Sequence, residues 1–274
     1  MPIERISDPA DHRLHEYRDI RDPELIRSRN LFVAEGRLVV QRLLADGRFT
    51  IRSLLLNEAA CRSLDSALAP IAATVPVYLC EADDFRVITG FNIHRGCLAL
   101  AERPGPASAR NVLDAAHRVI VLEGVTNADN VGGVFRNAAA FGVDAVLLSP
   151  TCCDPLYRKA IRTSMGATLR VPFARLAEWP GSLALIKDRG FEIVALTPRE
   201  PAEDLGAFVA HQVSSRIALL VGTEAQGLTP EAEHAAARRV RIPMSAQVDS
   251  LDLAVAAGIA LHGLYSAVRG TDSR

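Results

Sequence analysis

Lysine is nearly absent from this chain: of 31 basic residues only Lys159 and Lys187 are lysines. The skew has two readings, genomic base composition and the suitability of arginine for bidentate phosphate contacts, and by itself it decides nothing. One missing lysine is more informative. The turn "GTEAQGLT" (222–229) has the G-x-x-x-x-G spacing of a phosphate-binding loop, but Leu228 stands where the lysine belongs. Without that cation the grip on a β/γ-phosphate is lost, and a nucleoside-triphosphatase reading fails on its defining residue. G-x-G-x-x-G is absent too, so the dinucleotide fingerprint fails as well. An excess of positive charge is also lacking. The net charge is −1, which argues against a strongly electrostatic grip on RNA or DNA. No apolar run is long enough to span a bilayer; the most apolar stretch, "LAVAAGIALHGLYSAV", is too short and carries His262. The N-terminal "MPIERISDPADHRLHEYRD" is charged throughout, so no signal peptide is expected and a cytoplasmic location is. The five cysteines, Cys61, Cys80, Cys97, Cys152 and Cys153, are odd in number and follow no zinc spacing. They read as small hydrophobes in a reducing compartment, and no metal site is expected.

What is present is the composition of a globular protein with room for two domains: 274 residues, 49% hydrophobic and 23% charged. The clearest break is "ERPGPASARN" (102–111), rich in proline and small residues. The chain is therefore divided into a small α/β domain over 1–103, a linker over 104–114 and a second domain over 115–274. In the first, "ELIRSRNLFVAEGRLVVQRLLADG" (24–47) reads as one amphipathic segment, and "IRSLLLNE", "VPVYLCE" and "RGCLALAE" as strands. In the second, "RVIVLEGV", "DAVLLSP", "FEIVALTP", "IALLVGTE" and "RVRIPM" are apolar runs separated mostly by helical stretches. Strands apolar on both faces and alternating with helices predict a parallel sheet covered on both sides. Ligands of such sheets bind beyond the carboxyl ends of the strands, which directs the search to the turns after "LEGV", "ALTP", "VGTE" and "RIPM".

Three segments there carry chemistry. "GTEAQGLT" offers a glycine turn, Glu224 at the sheet edge, and Thr229 as the N-cap of a helix opened by Pro230. "RIPMSAQVDSLDLAVAAGIALH" (241–262) reads as strand, irregular loop and long small-residue helix, with Ser250 as N-cap and Asp252 in the first turn. "NADNVGGVFRNAAAFG" (127–142) reads as a helix with Val131, Val134, Phe135 and Ala138 along one apolar stripe. Gly132 and Arg136 share another face, the glycines permitting close approach and Arg136 projecting over the gap. A surface ion pair of Arg136 is the competing reading.

In this order the segments resemble the SpoU (TrmH) family of RNA 2′-O-ribose methyltransferases of the SPOUT superfamily. The resemblance rests on Asn130, Gly132 and Arg136 (Asn-x-Gly-x-x-x-Arg); on Gly222, Glu224, Gly227 and Leu228 (Gly-x-Glu-x-x-Gly-Leu); and on Ile242, Pro243 and Met244 followed by Ser250 and Leu251. "RTSMGA" (162–167) is similar to the family's Ser-x-Gly-Ala segment, and "FVAEGRLVVQRLL" and "HRGCLAL" resemble the small substrate-binding domain often found ahead of the catalytic one. The resemblance implies a deep trefoil knot in the parallel α/β domain, an exception to the near absence of knots. It also implies S-adenosylmethionine bound in that knot, a tRNA or rRNA substrate, and a homodimer through the knotted domain, with neither membrane nor DNA as partner. Leu196, Thr197, Gly222, Gly227, Ile242, Met244 and Leu251 are then the cofactor-binding residues, and Asn130, Arg136, Glu224, Ser250 and Asp252 the catalytic ones.

The implied chemistry is attack of a ribose 2′-hydroxyl on a sulfonium methyl, for which positioning supplies much of the acceleration. Arginine is a poor base, so Arg136 is assigned to clamping the neighbouring phosphate and stabilising developing alkoxide charge. Asn130 and Glu224 orient Arg136 and the ribose, and Ser250 holds the loop or the substrate. One position departs from the family pattern: Asp252 stands where asparagine is usual. An ionised carboxylate donates no hydrogen bond, so it would face the sulfonium charge or pair with Arg136 instead, with activity retained. The alternative is a non-catalytic RNA-binding paralogue of the same family.

Overall fold

The computed structural model describes residues 3–18, 22–71, 74–90, 93, 96–211, 214–245, 247–248 and 250–271. His94 and Arg95 of the "HRGCLAL" segment, and Ala246 and Asp249 of the 241–262 segment, lie outside them. The chain divides into two compact units, Met1–Gly105 with Pro155–Leu169, and Pro106–Asp154 with Arg170–Arg274.

The first unit is built on five strands, β1 (Ile3–Arg5), β2 (Leu31–Glu35), β3 (Ile51–Leu56), β4 (Val77–Leu79) and β5 (Cys97–Glu102), in the order β1-β4-β3-β5-β2. β1, β4 and β3 are parallel, and β5 runs antiparallel to both β2 and β3. The 24–47 segment is not one amphipathic element. Asn30, at φ 55, ends a helical turn, the apolar run LFVAE forms β2, and Gly36, at φ 98, precedes the helix Arg37–Asp46. Two residues in the left-handed region interrupt a helix whatever the apolar periodicity across them. Pro155–Leu169, distant in sequence, belongs to this unit: the Arg158 guanidinium pairs with buried Glu35, and Arg48 donates to the Leu169 carbonyl at 2.7 Å.

The second unit is a seven-stranded sheet, all parallel: β6 (Arg118–Leu122), β7 (Ala145–Leu148), β8 (Phe173–Arg175), β9 (Glu192–Leu196), β10 (Glu203–Asp204), β11 (Ile217–Val221) and β12 (Arg238–Arg241), ordered β10-β12-β9-β11-β6-β7-β8. The five apolar runs form β6, β7, β9, β11 and β12. β8 and β10 have no counterpart in the sequence pattern; both are edge strands of two or three residues, too short to carry a period. β7 and β11 are buried at every position, as a doubly covered parallel sheet requires. Within the 104–114 stretch read as a linker, Ala109–Asp114 is a helix whose Leu113 is fully buried in the core. Among the described residues no helix is long and apolar enough to cross a membrane.

All five cysteines are free thiols. Burial pushes the Cys80 thiol up to about 11 and that of Cys97 to about 12. Since the thiolate is the reactive form, neither is expected to react with a thiol-specific disulfide reagent at pH 8 in the folded protein. Both should be titrated once denaturant is added, and prompt labelling of Cys97 in the native protein would contradict its burial.

Candidate active site

Because the second sheet is wholly parallel, the carboxyl ends of β6, β9, β11 and β12 share one edge. β11 runs into a turn that folds back on itself: Thr223 and Gly227 exchange backbone hydrogen bonds of 3.2 and 2.9 Å. Gly222 lies beneath the closure, where a Cβ would stand 2.2 Å from the Gly227 carbonyl carbon and oxygen, and Gly227 takes φ +70. The two glycines are therefore required by the loop's own geometry. Thr229 caps the helix Pro230–Ala235, accepting from the Ala232 N–H, with Pro230 at its first position, as the sequence predicts. The cap is fixed from the neighbouring strand: buried Glu123, directly after β6, accepts from the Thr229 N–H at 2.9 Å, the Thr229 hydroxyl at 2.7 Å and the Trp179 indole N–H.

Three loops at this edge enclose a cavity of about 350 Å³, within the size range of small-molecule and cofactor sites. They are the turn after β9, the turn after β11, and the stretch from β12 into the C-terminal helix Leu253–Thr271. All seven positions singled out for the cofactor, Leu196, Thr197, Gly222, Gly227, Ile242, Met244 and Leu251, line it, and so do Glu224 and Ser250. Its wall is mainly apolar, from Leu196, Val221, Ile242 and Leu251, with the Thr197 hydroxyl and the loop backbone as polar elements.

Asn130, Arg136 and Asp252 do not line the cavity. Asn130 is buried in the first turn of the helix Ala128–Ala140, which Asn127 caps by accepting from the Asp129 N–H. Val131, Val134, Phe135 and Ala138 are fully buried, as the stripe predicts. Arg136 is exposed and makes no hydrogen bond or ion pair among the described residues. The close approach occurs at Gly133, where a Cβ would stand 2.5 Å from the Ala254 Cβ. Asn137 adds a 2.6 Å hydrogen bond to the Ala254 carbonyl. Leu253 and Ala256, on either side of Ala254 along the same helix, are part of the cavity wall. The arginine-bearing helix is thus packed on the helix that closes the cavity.

Asp252, and not Ser250, caps the C-terminal helix: the helix begins at Leu253, and the Asp252 carboxylate accepts from the Val255 N–H at 3.1 Å. Among the described residues it forms no ion pair with Arg136. Aspartate and asparagine are comparable N-caps, which gives the departure from the family pattern a physical basis. Asp252→Asn is expected to leave the thermal unfolding midpoint nearly unchanged, whereas Asp252→Ala should cost about 1 kcal/mol, measured in parallel thermal melts. Arg199 and Gln226 also line the cavity and were not singled out from the sequence. Arg199 had a visible signal, a charge directly behind the "ALTP" turn. Glu123 had another, a carboxylate closing the apolar run of β6.

Residues 117–262, more than half of the chain, match the model of the SpoU rRNA Methylase family. The chain is 44% identical over 266 residues to an uncharacterized tRNA/rRNA methyltransferase of Mycobacterium bovis, covering 96% of this chain and 91% of the relative. It is 29% identical over 194 residues to the 23S rRNA (guanosine-2′-O-)-methyltransferase RlmB of Acinetobacter baylyi, covering 69% and 77%. Among solved structures, the AdoMet-bound rRNA methyltransferase from Sinorhizobium meliloti has a TM-score of 0.81 at 22% identity, covering 98% of this chain and 99% of that one. With Gly222, Glu224, Gly227, Ile242, Met244, Ser250 and Leu251 lining one cavity at the sheet edge, the chain belongs to the SpoU rRNA methylase family.

Proposed function

We propose that the protein transfers a methyl group from S-adenosylmethionine to a ribose 2′-hydroxyl of a structured tRNA or rRNA. The observation that carries this reading is the cavity itself, where three segments far apart in sequence bring together every position expected to hold the cofactor. The lining fits that group: apolar walls for a purine ring and a thioether chain, a threonine hydroxyl, and loop backbone for its polar ends. The AdoMet-bound protein from Sinorhizobium supports the cofactor, and the RlmB relative supports a ribose 2′-oxygen as acceptor.

The cofactor supplies an electrophilic methyl that needs no metal. The chain's own residues supply geometry and charge. Thr197, Ile242 and Leu251 seat the cofactor, and Glu224 at the cavity rim and Asn130 orient the ribose and Arg136. Arg136, which has no hydrogen-bond or ion-pair partner among the described residues, is available to clamp an RNA phosphate and to stabilise the alkoxide charge that develops on the 2′-oxygen. Ser250 holds the loop against the substrate. Asp252 keeps an orienting role through the helix it caps.

The knot and the dimer belong to the same reading. β12 is separated from β11 by β9 in the sheet, yet the helix Leu253–Thr271 packs on Ala128–Ala140, through Ala254 against Gly133 and Asn137. That return towards the centre of the sheet supports a threaded C-terminus. Val255 and Ile259, large and exposed on the C-terminal helix, support pairing of this unit with a second copy. The first unit is the proposed RNA-recognition domain.

The decisive experiment is transfer of labelled methyl from S-adenosylmethionine to total RNA, with products mapped as alkali-resistant 2′-O-methyl nucleotides. Incorporation at a base, or into no RNA pool, would overturn the reading; the second outcome would leave a non-catalytic RNA-binding protein.

A further inference from the structure

Glu233 is a buried carboxylate that the chemistry above does not use. It lies in the short helix Pro230–Ala235 behind the cavity, only 6% exposed. It accepts a hydrogen bond from the Thr197 hydroxyl at 2.8 Å and from the Arg199 guanidinium at 3.2 Å, and Arg239 approaches its second oxygen at 3.5 Å. Arg199 in turn reaches over the Gly222–Thr229 loop. Its Nη1 donates to the Leu228 carbonyl at 2.9 Å and its Nη2 to the Gln226 carbonyl at 2.6 Å. The Arg199 backbone N–H also donates to the Thr197 hydroxyl oxygen at 3.2 Å.

One carboxylate therefore ties together two of the three loops that wall the cavity. The planar guanidinium fork matches two carbonyls and a carboxylate at once, which a lysine ammonium on a flexible stem does not reproduce. Charge-assisted hydrogen bonds of this kind are stronger than neutral ones. Left without Glu233, Arg199 would recover its rotamer freedom, and the two loop carbonyls would lose a fixed donor. Among the described residues, the other hydrogen bonds that hold the loop's tip are the Thr223–Gly227 pair and the Gln226 N–H on the Thr223 hydroxyl at 3.2 Å.

We propose that Arg199 and Glu233 form a latch that holds the Gly222–Thr229 loop in its cofactor-binding shape. Arg199 is a positioning residue for the cofactor, and Glu233 orients both Arg199 and Thr197. The inference rests on the cavity being the S-adenosylmethionine site.

The test uses the full-length protein and the variants Arg199→Ala, Arg199→Lys and Glu233→Gln, the last keeping an acceptor for Thr197 and the volume of the side chain. Hydrogen–deuterium exchange is followed at the Gln226 and Gly227 amides without cofactor, and S-adenosylmethionine affinity is measured by calorimetry. Exchange at those amides is expected to accelerate and Kd to rise about tenfold, equivalent to about 1.4 kcal/mol, in Arg199→Ala, with no rescue by lysine and a smaller change in Glu233→Gln. The turnover number at saturating cofactor should change by less than the affinity. Wild-type exchange and affinity in Arg199→Ala would overturn the latch, as would a lowered melting temperature with both readouts unmoved. If the wild-type protein itself binds no S-adenosylmethionine, the functional reading fails, and the exchange comparison still decides whether the latch exists.

Discussion

Arg136→Ala is expected to lower kcat for methyl transfer by about 10²–10³-fold, the scale on which single charge-stabilising donors act. The same variant should bind S-adenosylmethionine with wild-type affinity, because Arg136 does not line the cavity. It should also melt at the wild-type temperature, because the side chain is exposed and makes no hydrogen bond or ion pair among the described residues. This combination separates a catalytic arginine from a surface one: a structural ion pair would register in the melt, and a cofactor ligand in the calorimeter. Arg136→Lys should remain strongly impaired, since an ammonium keeps the charge but loses the bidentate fork that spans a phosphate. The measurement is single-turnover methyl transfer to the mapped RNA at saturating cofactor, where binding and chemistry are resolved. A rate for Arg136→Ala within about threefold of wild type, well short of that scale, would remove Arg136 from the mechanism.

Gly222→Ala should be the most damaging one-methyl change in the cavity. The new Cβ would stand 2.2 Å from the Gly227 carbonyl group and 2.4 Å from the Leu228 nitrogen. These are backbone atoms, so no side-chain rotation relieves the clash. The loop must open, and with it the Thr223–Gly227 closure that forms one wall of the cavity. Overpacking of this kind costs about 1–3 kcal/mol of stability. Because the displaced atoms wall the proposed cofactor site, S-adenosylmethionine affinity is expected to fall by about tenfold or more, as a strain of about 1.4 kcal/mol carried into the site would produce. Gly206→Ala is the control. That glycine lies in the helix Leu205–Ala210, where a Cβ meets nothing within 4 Å, so alanine should stabilise by about 0.5–1 kcal/mol and leave binding alone. Calorimetric titration with thermal melts of both variants decides the matter; wild-type affinity in Gly222→Ala would show that the loop's closure does not shape the site.

Much of the second unit was legible in the residues. Five apolar runs separated by helices imply a covered parallel sheet, and the ligand edge of such a sheet follows from strand direction alone. The Thr229-Pro230 helix start and the buried stripe of Val131, Val134, Phe135 and Ala138 were legible too, because capping and amphipathic periodicity are local properties. Other features were not. β10 is two residues long and is held by pairing with β12, a partner 37 positions away in register. Asp252 rather than Ser250 caps the last helix, whose Ala254 packs on Gly133, a contact between positions far apart in the chain. The stretch over 24–47 reads as one amphipathic segment, and the backbone at Asn30 and Gly36 divides it.

The sequence by itself determined which loops converge on one edge of the second sheet, since local spacing and strand direction are written along the chain. Tertiary structure alone decided how those loops are held. That Glu233 orients Thr197 and Arg199, that Glu123 receives Trp179 and Thr229, and that Gly133 admits the C-terminal helix depend on contacts between positions 34 to 121 residues apart. Side-chain hydrogen bonds and van der Waals contacts act over a few ångströms, and only the folded chain brings such distant positions that close.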